Sequence, residues 1–98
     1  MSHSVAFLAQ LEHVIDARLA GGTVEQSYTA RLAQQGILKV AQKVGEEGVE
    51  LALAAAAQDD ARVTSEAADL LYHLVLLLRM RGLRLEDAVA ELARRHAG

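Results

Sequence analysis

Apolar residues recur at intervals of three and four along most of the chain, which is the period of an amphipathic α-helix. The first such stripe consists of Val5, Leu8, Leu11, Ile15 and Leu19. Ser4 stands where it can cap this helix, and Gly21 and Gly22 stand where the helix can end. The pattern therefore predicts a first helix of about four to five turns.

Further polar and glycine positions divide the rest of the chain. A cap or a break is predicted at Ser27, at Gly36, at Asp59 or Asp60, and at Gly82. The longest apolar segment predicts a helix from about Ala61 to Arg81. A last stripe, formed by Leu85, Ala88, Val89 and Leu92, predicts a short C-terminal helix.

The composition favours an all-α fold. The chain has 98 residues, of which 52% are hydrophobic and only 3% aromatic, and it contains no proline. A core of this kind is built from alanine, leucine and valine, which is typical of helical proteins. We predict a single domain over residues 1–98, with four to five helices around a central antiparallel helical hairpin.

Charge and cysteine content exclude several classes of function. The net charge is −3, so nothing favours nucleic acid or an anionic membrane as a partner. The longest apolar run, residues 70–78, is interrupted by Tyr72 and His73 and is too short to span a membrane. The chain contains no cysteine, and its N-terminus lacks the pattern of a signal peptide, so we expect a cytoplasmic protein.

Two acidic signatures lie in the predicted hairpin. The first is Glu46-Glu47-x-x-Glu50, and the second is Glu66-x-x-Asp69. Helical spacing places each set on one face of its helix, and a short polar loop between the helices can bring both sets to one level. The acids are therefore expected to converge.

Converging carboxylates require cations or protons between them. At about 5 Å, each like-charge pair costs on the order of 3 kcal/mol at an effective dielectric of 20. Arg62 and Lys43 are too few to neutralise five acids. Because every ligand atom would be an oxygen, we predict a Mg²⁺ site, with Mn²⁺ as the alternative.

This arrangement predicts a reaction. Magnesium held by carboxylates keeps positions open for water and for phosphate oxygens. Lys39 and Lys43 continue the face of the first acidic set and would meet the phosphate charge. The pattern therefore indicates hydrolysis of a nucleotide phosphoanhydride, with a remaining glutamate as general base.

Three stretches of sequence point to a family. They are SYT at residues 27–29, GILKVAQKVGEE at residues 36–47 and EAADLLYH at residues 66–73. The acidic pattern resembles that of the MazG-like superfamily of all-α nucleotide pyrophosphohydrolases. The three stretches together are similar to the phosphoribosyl-ATP pyrophosphohydrolase family of histidine biosynthesis, and the resemblance covers nearly the whole chain.

The resemblance implies Mg²⁺-dependent cleavage of phosphoribosyl-ATP to phosphoribosyl-AMP and pyrophosphate by a cytoplasmic homodimer of intertwined chains. Some relatives carry a fused cyclohydrolase, and this chain is expected to be the stand-alone form. A dimer is also expected from the residues, because one neighbouring helix cannot cover the apolar girdle of the helix predicted from Ala61 to Arg81.

The resemblance also assigns roles to residues. It implies metal ligands at Glu47, Glu50, Glu66 and Asp69, and a catalytic group of Glu46, Glu47 and Glu50 in which Glu46 is an accessory ligand or base. His73 would orient Asp69 as a partner behind the metal. From loop proximity and charge, Tyr28 and Arg31 are expected to bind the base or the riboses. Lys39 and Lys43 are expected to bind the phosphates.

Two alternatives stay open. A housecleaning nucleoside triphosphate pyrophosphohydrolase would use the same acids on dUTP, dCTP or a damaged nucleotide. A helical dimerisation module would carry the same acids as a solvated and inert face, with no dependence on a metal. A substrate panel with and without Mg²⁺ separates the three hypotheses.

Overall fold

The computed structural model describes residues 3–97, which form five α-helices joined by short loops. The helices are α1 (Phe7–Gly21), α2 (Tyr28–Gln34), α3 (Ile37–Ala57), α4 (Asp60–Met80) and α5 (Leu85–His96). No strand occurs within residues 3–97. The predicted all-α class is therefore confirmed.

Helices α3 and α4 form the centre of the molecule. Each has 21 residues, and only Gln58 and Asp59 separate them. A connection this short turns the chain back on itself, so the two helices pack as an antiparallel hairpin. Asp59 caps α4, since its Oδ1 accepts the backbone N–H of Arg62 at 2.9 Å. The predicted central hairpin is confirmed, and Asp59 is the cap.

The other predicted breaks are confirmed, each by a local interaction. The Oγ of Ser27 accepts the N–H of Ala30 at 3.1 Å and caps α2. Gly36 lies between α2 and α3 with φ of +97°, and Gly82 follows α4 with φ of +78°. The N–H of Leu83 donates to the carbonyl of Leu78 at 2.8 Å across Gly82, which closes α4 in a Schellman motif.

The predicted cap of the first helix is wrong. Helix α1 begins at Phe7, and Ala6 precedes it without a side-chain cap. The Oγ of Ser4 accepts the N–H of Ala6 at 3.2 Å, and the N–H of Phe7 donates to the Ser4 carbonyl. Ser4 therefore stabilises a turn that comes before the helix, because its hydroxyl bonds a residue outside α1.

The core is small and comes from the first four helices. The buried apolar side chains of this cluster are Ile15, Leu32, Val40, Val75 and Leu76. Helix α5 has no buried residue and adds only the partly buried Leu85. Its start is held by Glu12, whose carboxylate accepts the N–H of Leu85 at 2.9 Å and a guanidinium N–H of Arg84 at 3.0 Å.

The exposed apolar surface of the hairpin lies mainly on α3. Leu38, Val49 and Leu53 are 83%, 60% and 61% exposed. On α4 the apolar side chains are largely covered, and Leu71 is the exposed one. The exposed apolar surface that was predicted for α4 is therefore found mainly on α3. Within residues 3–97, no helix combines the length and hydropathy needed to cross a membrane.

The role of Gly82 in the Schellman motif that ends α4 can be tested by substitution. Alanine at φ of +78° is strained, so Gly82→Ala is expected to lower the free energy of unfolding by about 1 kcal/mol. Urea denaturation measures this change.

Gly21→Ala is the matched control, because Gly21 ends α1 without a positive φ and a Cβ there meets nothing within 4 Å. An equal loss of stability in both variants would contradict the role given to Gly82.

Candidate metal centre and active site

Three acids from the two hairpin helices meet at one level. Glu47 comes from α3, and Glu66 and Asp69 come from consecutive turns of α4. One carboxylate oxygen from each lies within 4.8 Å of those of the other two. The antiparallel packing of α3 and α4 therefore brings the two acidic signatures together.

Two of these acids are buried and incompletely paired. Glu47 is 6% exposed and Glu66 is 4% exposed, so neither belongs to a solvated helix face. Each Oε1 has a cation nearby, since Lys43 Nζ lies 3.5 Å from Glu47 and a guanidinium nitrogen of Arg62 lies 3.1 Å from Glu66. Each Oε2 is buried without a hydrogen-bond partner among residues 3–97. A buried carboxylate oxygen without a donor is costly.

The residues of this cluster fit a divalent cation. Two unpartnered carboxylate oxygens and the nearby Asp69 present hard oxygen ligands on one side of the hairpin. Each like-charge pair at about 5 Å costs on the order of 3 kcal/mol at an effective dielectric of 20. A bound cation would remove this repulsion and satisfy both buried oxygens.

Glu46 and Glu50 lie outside the group of three. Both are exposed, and they line an open cavity of about 640 Å³ along α3 with Gln42, Gly45 and Val49. Glu46 lies 3.8 Å from Lys43 and accepts a hydrogen bond from the amide of Gln42 at 3.2 Å. The structure thus gathers three of the five predicted acids and leaves Glu46 and Glu50 on the exposed surface of α3.

The surroundings of Asp69 differ from the expectation. Its neighbours in sequence predict a position deep in an apolar stripe, but Asp69 is exposed and Glu66 is the buried acid of α4. Asp69 lies about 60° around the helix from Glu66, whereas His73 lies about 20° away and is buried with it. The packing of the other helices covers the Glu66 side, so Asp69 stands at the edge.

His73 connects α4 to α2. Its Nδ1 is 2.7 Å from the backbone carbonyl of Asp69, and its Nε2 is 2.9 Å from the hydroxyl of Tyr28. Because a carbonyl can only accept, Nδ1 carries a proton and donates it to the Asp69 carbonyl, and Nε2 shares the second hydrogen bond with the Tyr28 hydroxyl. The predicted link between His73 and Asp69 therefore involves the main chain of Asp69, not its carboxylate.

A second hydroxyl contact joins the same helices. Thr29 is fully buried, and its Oγ1 hydrogen-bonds the hydroxyl of Tyr72. The ring of Tyr72 also packs against Tyr28 and His73, with centroids 6.1 and 5.2 Å apart. No site role was predicted for Thr29 or Tyr72 from the sequence. Both residues lie in the stretches that carry the family resemblance, so that resemblance was the available signal.

Burial, above all, favours the neutral form of Tyr28. Burial raises the pKa of Tyr28, and Glu47 and Asp69 act in the same direction, although the nearby Lys43 opposes them. Burial lowers the pKa of Lys43, but Tyr28 and Glu47 outweigh that effect and leave it above the usual value. The phenol therefore keeps its proton beside His73, and the ammonium stays charged beside the acids.

The remaining predicted substrate residues lie on α2 and α3. Lys39 is half-buried and precedes Lys43 by one turn on α3. Arg31 is exposed, and a guanidinium N–H donates to the carbonyl of Val24 at 3.3 Å, which braces the loop before α2. Tyr28 is 44% exposed and so keeps a surface that a ligand can reach. Their contacts with a substrate stay predictions.

Fold and site together define an all-α protein whose central helical hairpin carries a buried acidic centre suited to a divalent cation. Residues 8–96 match the family model described as phosphoribosyl-ATP pyrophosphohydrolase. The chain therefore belongs to the phosphoribosyl-ATP pyrophosphohydrolase family.

Curated relatives agree with this membership. The phosphoribosyl-ATP pyrophosphatase of Azorhizobium caulinodans is 53% identical over 95 residues, covering 97% of this chain and 86% of that protein. The one from Sphingopyxis alaskensis is 52% identical over 89 residues, covering 91% of this chain and 82% of the relative.

A second group of relatives is longer. The histidine biosynthesis bifunctional protein HisIE of Xanthomonas campestris is 64% identical over 70 residues, which are 71% of this chain and 34% of that protein. The HisIE of Photobacterium profundum is 50% identical over 93 residues, covering 95% of this chain and 44% of the relative. The chain thus spans less than half the length of these bifunctional relatives.

The hydroxyl pair between α2 and α4 can be tested by a double-mutant cycle. Thr29→Val and Tyr72→Phe each leave one hydroxyl without its partner, and each is expected to cost about 1 to 3 kcal/mol of unfolding free energy. The double variant removes both hydroxyls and should cost less than the sum of the two. Urea denaturation measures all four proteins, and strictly additive losses would contradict the pairing.

Proposed function

We propose that the chain hydrolyses phosphoribosyl-ATP to phosphoribosyl-AMP and pyrophosphate, the second step of histidine biosynthesis. The substrate follows from membership of the family over residues 8–96. The observation that carries the chemistry is the cluster of Glu47, Glu66 and Asp69, with two buried oxygens that lack a donor among residues 3–97. A structural acidic face would not retain buried and unpaired carboxylates.

Glu47, Glu66 and Asp69 would hold Mg²⁺, or Mn²⁺ in its place. Glu50, which is exposed on α3 outside this group, is proposed as a further ligand on the strength of the sequence pattern alone. A bound ion of this kind polarises a phosphate oxygen and lowers the pKa of a bound water. The chain itself contributes the charge of Lys43, which lies beside the acids and would attract the phosphates. Lys39, one turn before Lys43 on α3, adds a second positive charge.

The reaction adds one water across a phosphoanhydride. A bond forms between the water oxygen and one phosphorus, the P–O bond of the bridging oxygen breaks, and the water proton leaves for a base. Glu46 is the candidate base, because it is exposed on α3, reaches solvent and is not one of the proposed ligands. Tyr28, whose ring is partly exposed beside Lys43, would contact the nucleoside part.

We also propose a homodimer in the cytoplasm. Leu38, Val49 and Leu53 lie within an arc of about 60° on α3, and all three are exposed. A second copy packed on this face would bury a contiguous apolar surface that a small domain gains from covering. The absence of cysteine suits a reducing compartment.

A substrate panel tests the proposed activity. Phosphoribosyl-ATP, dUTP and dCTP are each incubated with and without Mg²⁺, and pyrophosphate release is followed. We expect release from phosphoribosyl-ATP alone, and none after the metal is removed with a chelator. Preference for dUTP or dCTP would support the housecleaning alternative instead.

Amide variants test the metal cluster. Glu66→Gln and Asp69→Asn keep the shape of the side chain but remove its charge, so each should lower Mg²⁺-dependent turnover by at least about 100-fold. Glu25→Gln, an exposed glutamate before α2, is the control and should keep full turnover. Full activity in either cluster variant would refute the assignment.

Sedimentation velocity tests the dimer. The wild-type chain should sediment as a dimer at micromolar concentration, and Leu53→Glu should shift it to the monomer because a charge would be buried in the interface. Leu92→Glu on α5 is the matched control, since Leu92 is 53% exposed. A monomeric wild-type chain would contradict the proposal.

A further inference from the structure

Lys43 and Arg62 occupy equivalent positions relative to the two buried acids of the centre. Lys43 precedes Glu47 by four residues on α3, and Arg62 precedes Glu66 by four residues on α4. Because the helices are antiparallel, these offsets run in opposite directions along the hairpin. Four residues correspond to roughly 6 Å of helix, so the cations lie on opposite sides of the acids.

The Lys43 side carries aromatic rings. Tyr28 is close enough to influence the pKa of Lys43, and its ring packs with Tyr72 and His73 at centroid distances of 6.1 and 5.9 Å. Tyr28 is also partly exposed, so a surface of this cluster is open to a ligand. Aromatic surfaces of this kind stack on nucleobases and riboses.

The Arg62 side has a different character. An open cavity of about 580 Å³ lies there, with a polar or small lining formed by Gln58, Asp59, Ala61, Arg62 and Ser65. Arg62 is the cation of this lining, and its side chain is 57% exposed although one nitrogen contacts Glu66. Asp59 is the acid of the lining, and its Oδ1 is already bound to the N–H of Arg62.

The difference between the two sides indicates how a substrate lies. We propose that the nucleotide is bound along the hairpin, with its nucleoside part at Tyr28, the phosphate that it keeps beside Lys43, and the departing pyrophosphate at Arg62. Arg62 is thus a pyrophosphate-binding residue, which the sequence analysis did not include. This inference rests on the proposed function, because it orients the two products of that reaction.

The chemistry of the guanidinium fits this role. Arginine presents five N–H donors in a planar fork that matches phosphate oxygens, and only part of the fork faces Glu66. In the proposed orientation water attacks the phosphorus that stays with the nucleoside, so the bond from that phosphorus to the bridging oxygen breaks and this oxygen leaves on the pyrophosphate with negative charge. The guanidinium of Arg62 lies on the side proposed for the pyrophosphate, where its N–H groups can donate hydrogen bonds and stabilise the departing charge.

Calorimetric binding of the separate products tests the orientation without turnover. Inorganic pyrophosphate and AMP are titrated, each with Mg²⁺, into the wild-type chain and into Arg62→Gln and Tyr28→Ala. We expect Arg62→Gln to weaken pyrophosphate binding about tenfold and to change AMP binding less than about twofold. Tyr28→Ala should show the reverse pattern.

Two further variants serve as controls. Arg62→Lys keeps a charge without the fork and should recover part of the pyrophosphate affinity. Arg81→Gln removes an exposed arginine at the opposite end of α4 and should leave both affinities unchanged. Circular dichroism of each variant checks the fold.

A role for Arg62 limited to neutralising Glu66 gives the opposite result. Loss of the cation would then leave pyrophosphate affinity unchanged and tighten Mg²⁺ binding measured alone, which overturns the proposal. Equal weakening of both products would overturn it too. The wild-type chain could fail to hydrolyse phosphoribosyl-ATP while Arg62→Gln still weakens pyrophosphate binding and Tyr28→Ala still weakens AMP binding. In that case the proposed substrate is wrong and the proposed orientation stands.

Discussion

The burial of two carboxylates opposite each other across an antiparallel hairpin is the constraint on which the rest of the molecule depends. Glu47 and Glu66 each keep one oxygen near a cation of their own helix and one oxygen without a partner. A protein stable by about 5 to 15 kcal/mol tolerates such a cost only where something else offsets it. A divalent cation supplied from solution fits that requirement, and so the same feature that weakens the fold defines its chemistry.

Local signals in the sequence predicted the helices well. Ser27, Asp59 and Gly82 act through their own backbone surroundings, so their effects depend little on the rest of the chain. Ser4 is the exception, because a cap signal close to the N-terminus fits a turn as well as a helix. Three of the five acids that were predicted to converge, Glu47, Glu66 and Asp69, do lie at one level, since a short connection and the helical period together leave little freedom.

Tertiary packing decided what the sequence could not. The apolar neighbours of Asp69 suggested a buried side chain, but coverage by other helices favours Glu66, about 60° away around α4. The contact of Thr29 with Tyr72 joins residues 43 positions apart, and no helical periodicity can reveal such a pair. These long-range contacts attach the short helix α2 to the acidic centre and place Tyr28 beside it. The site is thus completed by an element that lies outside the hairpin.

The dependence of the free energy of unfolding on Mg²⁺ concentration tests directly whether Glu47 and Glu66 bind a divalent cation. At a fixed protein concentration, urea unfolding should show a free energy of unfolding that rises with Mg²⁺, by about 2.7 kcal/mol at a hundred times the dissociation constant. The double variant Glu47→Gln and Glu66→Gln should lose this increase, because the buried side chains that would bind the cation no longer carry charge. A wild-type stability that stays unchanged over the whole range of Mg²⁺ concentration would contradict the account.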